Sequence, residues 1–157
     1  MTQAVRIMTR PVATNKNLLA LDVGMQRIGV AIASANARLP KPMITIINDN
    51  DVMLHLKEII NQQEAGLLVV GLPKNLSGQD TDQTIITRQF VDELIEHTNI
   101  PFYWQDEALS SVRAKQELLS RKKKFDKSDI DSLAAVYILE DFINENKDII
   151  DEIFSKK

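Results

Sequence analysis

Two stretches of the chain are apolar without interruption, LLAL at 18–21 and LLVV at 67–70. Runs of this length mark strands buried on both faces. After the first run comes a short turn and then RIGVAIA, in which Ile28, Val30 and Ile32 alternate with Gly29, Ala31 and Ala33. Period two predicts a second strand with one bulky face, and one face small enough for a helix to lie close. Residues 18–34 therefore read as a hairpin. MITII at 43–47 gives a third strand, VVG closes the strand at 67–71, and PFYWQ at 101–105 gives a fifth.

Helical spacing fills the intervals. Met53, Leu56, Ile59 and Ile60 continue a helix that Asn48, Asp49 and Asn50 can cap and that Gly66 can stop. Ile86, Phe90, Val91, Leu94 and Ile95 predict the inner face of a helix over 80–98, with Asn99 at its end and Pro101 preventing continuation. A third helix starts at Ser110 or Ser111 and ends near Ser120. The last begins at Ser128 and runs past Phe142 towards the C-terminus. The order β-β-β-α-β-α-β-α-α predicts an α/β fold: a five-stranded mixed sheet, three antiparallel strands then two parallel, flanked by helices. Residues 1–16, interrupted by Pro11, read as a flexible extension, and 17–157 as a single domain.

Composition narrows the chemistry. The chain has 157 residues, no cysteine and two histidines, His55 and His97. A thiolate site is impossible and a structural zinc site is disfavoured, so any metal is held through oxygen, as magnesium and manganese are. A net charge of −3 excludes a uniformly basic nucleic-acid coat and leaves only local basic patches. No stretch reaches the ~18 apolar residues of a membrane span, and the N-terminus lacks the apolar core of a signal peptide. The expected location is the cytoplasm, without membrane contact.

Three carboxylates stand where apolar elements deliver them. Asp22 ends the first strand, Glu107 follows the last, and Asp131 shares a helical face with Ala134, Ala135 and Ile138. Parallel strands would bring Asp22 and Glu107 out at one carboxyl edge of the sheet, where open α/β sheets place their sites. Each has a plainer reading. Asp22 fits an Asx-turn, Glu107 with Asp106 fits the dipole of the next helix, and Ser128–Asp131 fits a capping box. Converged, the three repel, and divalent cations relieve them. Mg2+ or Mn2+, two ions in the fullest version, suits phosphodiester hydrolysis. Arg121, Lys122, Lys123 and Lys124 precede the Asp131 helix and could guide a nucleic-acid backbone. Lys74 and Asn75 in GLPKNLSG, with Arg27 and Arg113, are further candidates for phosphate.

Taken together, LDVGMQRIGVAIAS, VVGLPKNLSGQ, the DE at 106–107, RKKK and DSLAAVYILED resemble the YqgF family, also called RuvX, of pre-16S rRNA nucleases. The family is related to Holliday-junction resolvases of the ribonuclease H-like fold, and the resemblance spans nearly all of residues 18–143. It implies metal-dependent nuclease activity with Asp22, Glu107 and Asp131 as the acidic triad. It also implies a role in 5′-end maturation of 16S ribosomal RNA on a ribosome precursor, by a monomer or homodimer. A resolvase acting on structured DNA, and an RNA-binding assembly factor without catalysis, are the alternatives. A nucleotide-binding fold of the actin and sugar-kinase type would need two such domains. Met25 and Gln26 stand where relatives carry Thr and Lys. Ala108, Ser110 and Ser111 stand where they carry Arg and two Thr, which bears on substrate affinity rather than on the triad.

Overall fold

The computed structural model describes residues 16–74, 77–107, 110–121 and 124–155, with Ser110 and Ser111 described by their backbone alone. The strands are β1 (Asn17–Val23), β2 (Arg27–Ser34), β3 (Lys41–Ile47), β4 (Ala65–Leu72) and β5 (Phe102–Asp106). The helices are α1 (Val52–Gln62), α2 (Asp82–Thr98), α3 (Ser110–Ser120), α4 (Lys127–Glu145) and α5 (Lys147–Phe154). The sheet runs β3-β2-β1-β4-β5. β1, β2 and β3 pair antiparallel, whereas β4 is parallel to β1 and β5 is parallel to β4. Every residue of β4 is buried, as its apolar run requires.

The alternation in β2 sorts the core into two layers. Ile28 and Val30 join Leu19, Leu21, Leu68 and Val70 under α1 and α2. Ala31 and Ala33 join Leu18, Ala20 and Val69 under α4 and α5. The small face lets α4 lie close, and α4 meets all five strands. Its spacing suits that path. Asp131 lies over Gly29 of β2 and Ile138 over Gly71 of β4. Seven helical residues rise ~10.5 Å, and two strand spacings cover roughly 9.5 Å. The helix thus runs along the hydrogen-bonding direction of the sheet.

Several element boundaries depart from the sequence pattern. The N-cap of α1 is Asp51, not a residue of 48–50. Asp49 instead accepts from the Asp51 amide, and the Asn48 side chain donates to the Gly24 carbonyl at 2.8 Å. Gly66 is buried inside β4, and Glu64, at φ 51°, makes the turn between α1 and β4. Ile86 is exposed, because the first turns of α2 present Thr84 and Thr87 inward, and Thr81 with Thr84 forms the capping box there. Asn99 ends α2 in the left-handed region. β3 starts at Lys41 and includes Pro42, which an edge strand accommodates beside an irregularity in its pairing with β2. The C-terminal helix is two helices, broken at Asn146, whose side chain donates to the Phe142 carbonyl. Lys16 already takes part in the fold, its amide bonded to the Glu64 carbonyl at 2.9 Å. Residues 1–15 lie outside the described residues.

Candidate active site

The site grows from the face of the sheet that α4 covers. On that face β1 carries Leu18, Ala20 and then Asp22, and register places Asp22 opposite Gly29 of β2. Leu21 is aligned with Val70 on β4, which puts Gly71 beside Asp22. Gly71 in turn is aligned with Gln105 of β5. Glu107 follows two residues later, past the end of β5, and its amide reaches the Leu72 carbonyl at 3.4 Å. Two glycines thus flank Asp22 where side chains would otherwise stand. A Cβ at Gly29 would lie 2.0 Å from the Asp131 carbonyl oxygen. One at Gly71 would lie 2.5 Å from Ile138 Cδ1 and 3.4 Å from Glu107 Oε2. The first glycine admits α4. The second leaves room for Ile138 of α4, with the Glu107 carboxyl in ordinary contact beside it.

Asp22 and Glu107 are hydrogen-bonded to each other, and their acidities record it. Burial pushes Asp22 well above the ordinary carboxylate range; the charge and hydrogen bond of Glu107 raise it further, and Asp131 adds a smaller push. Glu107 is also raised, chiefly by burial and then by Asp106, while its bond to Asp22 works the other way.

Asp131 reaches the same region from α4. Its capping reading is excluded, because the N-cap of α4 is Asp126, in a reciprocal box with Asp129. Asp131 instead accepts from Arg27 Nε at 2.7 Å, in a pair that is only about a quarter exposed. Among the described residues no three His, Cys, Asp or Glu side chains are arranged to hold one metal ion. The donor set nonetheless fits a hard cation. Asp22 and Glu107 offer adjacent, partly buried oxygens whose burial and mutual repulsion disfavour bare negative charge, and Asp131 stands within electrostatic reach of Asp22.

The predicted basic contacts are dispersed. Arg27 is part of the carboxylate cluster. Arg113 lies 4.3 Å over the Tyr137 ring and pairs with Asp141 at 3.2 Å, joining α3 to α4. Lys74 pairs with Asp80 at 3.6 Å, and Arg121 pairs with Glu117. Lys124 is exposed, and with Arg121 it lines an open groove alongside Met43, Thr45, Phe125 and Ser132. Asn75, Lys122 and Lys123 lie outside the described residues, as does Ala108. Sequence reasoning missed three contributors: Gly71, Arg27 as the partner of Asp131, and Asn48. Asn48 clamps the Gly24–Arg27 turn by donating to Gly24 from its side chain and to Gln26 from its backbone. A glycine ending an otherwise apolar strand was the one available signal for the first.

Residues 16–145 match the RuvX family, described as Holliday junction resolvase. Among curated proteins, one from Sulfurihydrogenibium sp. (strain YO3AOP1), named "Putative pre-16S rRNA nuclease", is 36% identical over 129 residues, covering 81% of this chain and 89% of its own. A protein of the same name from Thermoanaerobacter pseudethanolicus is 36% identical over 137 residues, covering 83% and 97%. In structure the chain is similar to Thermus thermophilus RuvC in complex with Holliday junction substrate. The TM-score is 0.54 at 10% identity, over 83% of this chain and 96% of that one, a likeness of fold that is ribonuclease H-like. With the family match spanning the sheet and all three carboxylates, and relatives 36% identical over most of both chains, the chain belongs to the RuvX family of nucleases.

Proposed function

We propose that the chain is a divalent-metal-dependent nuclease in which Asp22, Glu107 and Asp131 hold magnesium or manganese, and that it trims the 5′ end of pre-16S ribosomal RNA in the cytoplasm. The observation that carries this reading is the Asp22–Glu107 pair, two carboxylates kept in hydrogen-bond contact in a partly buried setting at the carboxyl edge of the sheet. Like charges placed this way destabilise the fold unless something positive is meant to join them. Bound there, the ion supplies a more acidic water and charge stabilisation at the phosphate.

The chain's own residues do the rest. Glu107, beside Gly71, and Asp22, on a central strand, bring their carboxyls into hydrogen-bond contact. Asp131 approaches from α4, anchored against Gly29. Arg121 and Lys124, in the groove beside Thr45 and Ser132, offer positive charge along which a sugar-phosphate backbone can lie. The names of the curated relatives favour RNA as the substrate.

The test compares wild type with Asp131→Asn on a 16S-precursor RNA and on a four-way DNA junction, each with and without manganese. The reading expects manganese-dependent cutting of the RNA by wild type and at least a hundredfold less by the variant, as for removal of one group essential to charge stabilisation. Undiminished cutting by Asp131→Asn removes Asp131 from the machinery. Faster cutting of the junction than of the RNA moves the substrate to DNA.

A further inference from the structure

Arg27 opens β2, and its backbone is fixed on both sides. Its carbonyl accepts from the Gly24 amide at 2.9 Å, and its register partner on β3 is Ile47. Only the side chain is free to choose a direction, and it lies on Asp131, with Nε 2.7 Å from Oδ2. That contact occupies one of the two oxygens through which Asp131 could meet a divalent ion. The guanidinium cannot be discharged by pH, so Oδ2 of Asp131 is freed for an ion only if the arginine moves. The pair is partly open to solvent, and ion pairs of that kind are weak enough to exchange.

We propose that Arg27 is a resident substitute for the metal, a latch on Asp131 that lets go when a divalent ion loads and whose freed guanidinium then faces the substrate phosphate. The inference rests on the reading of Asp131 as a metal ligand. It makes ion loading and phosphate binding two outcomes of one side-chain movement. Without metal, the cation that would grip the backbone is spent inside the protein; with metal, it is released beside the ion. Planar, bidentate geometry makes an arginine suited to both partners, carboxylate and phosphate alike. A lysine keeps the charge but loses the fork.

Two measurements without substrate test this. In 15N-resolved NMR of the wild-type protein, the Arg27 Nε–Hε signal, assigned with R27K, is expected to shift and to exchange faster with water on saturation with Mg2+. In Mn2+ titrations followed by electron paramagnetic resonance, R27Q is expected to bind about tenfold more tightly than wild type, since the competing cation is gone. An Arg27 signal that stays unmoved at saturating Mg2+, or an R27Q affinity equal to that of wild type, overturns the latch. D131N separates this outcome from failure of the underlying reading. If D131N binds Mn2+ as tightly as wild type, Asp131 is not a ligand, and the functional proposal fails with the latch.

Discussion

Gly29 and Asp131 are in backbone contact: a methyl group on the glycine would stand 2.0 Å from the aspartate's carbonyl oxygen and 2.3 Å from its carbonyl carbon. The obstacle is helix backbone, which cannot swing aside as a side-chain tip can. Gly29→Ala is therefore expected to lift α4 from β2 and to destabilise the protein by about 3 kcal/mol or more, lowering Tm by roughly 10 °C. Thermal unfolding followed by circular dichroism checks it. An unchanged Tm would mean that the helix does not lie this close.

The Asp22–Glu107 pair has a pH signature with a definite sign. Both folded carboxyls bind protons more readily than they would in the unfolded chain. Their stabilising contribution is thus present below the ordinary carboxylate range and is lost as pH rises through the raised folded values. In EDTA, Asp22→Asn is expected to remove that loss. The variant should exceed wild type by about 3 °C in Tm at pH 7.5, and the gap should close towards pH 4. Melting curves across pH measure the gap. Wild type more stable than the variant at pH 7.5 would contradict the assignment.

Capping of α4 discriminates between two serviceable sequence patterns. Asp126 accepts from the Asp129 amide at 3.1 Å, while Ser128 lies inside the helix. Asp126→Ala should cost about 1 kcal/mol, and Ser128→Ala should stay within about 0.5 kcal/mol of wild type. Urea denaturation resolves the two.

The basic loop is expected to act by counterion release. Replacing Lys122, Lys123 and Lys124 with glutamine should weaken RNA binding and reduce the slope of log K against log salt by about 2, at ~0.7 for each phosphate contact on a single strand. Filter binding at several salt concentrations gives the slope, and an unaltered slope assigns the loop to solvent.

Much of this architecture is readable in the residues because burial writes itself as period. The unbroken run at 67–70 marked a strand buried on both faces, and the large-small alternation of β2 marked the face on which α4 rests. Asp22 was conspicuous for the same reason, as a charge ending an apolar run. What stayed hidden was of two kinds. Caps are chosen by backbone angles: Asp126 and Ser128 both precede an acid by three residues, and only the extended conformation at Asp126 separates them. Likewise Thr84 and Thr87 displaced Ile86 from the core side of α2 because the entry of that helix, tied by Thr84 to the Pro73 carbonyl, sets its rotation. Long-range pairs form the other kind. Arg27 and Asp131 are 104 positions apart, and nothing in the local pattern of either announces the other.

The path of α4 has a consequence for how the protein breathes. Because this single helix bears on every strand of the sheet, from Thr45 holding the Ser128 carbonyl on β3 to Glu145 receiving Gln105 on β5, it has no partial way to detach. Amides along 131–142 should then exchange with deuterium only when the whole molecule opens. An ion gripped between α4 and the ends of β1 and β5 would accordingly slow exchange throughout the sheet, including in strands that never touch it.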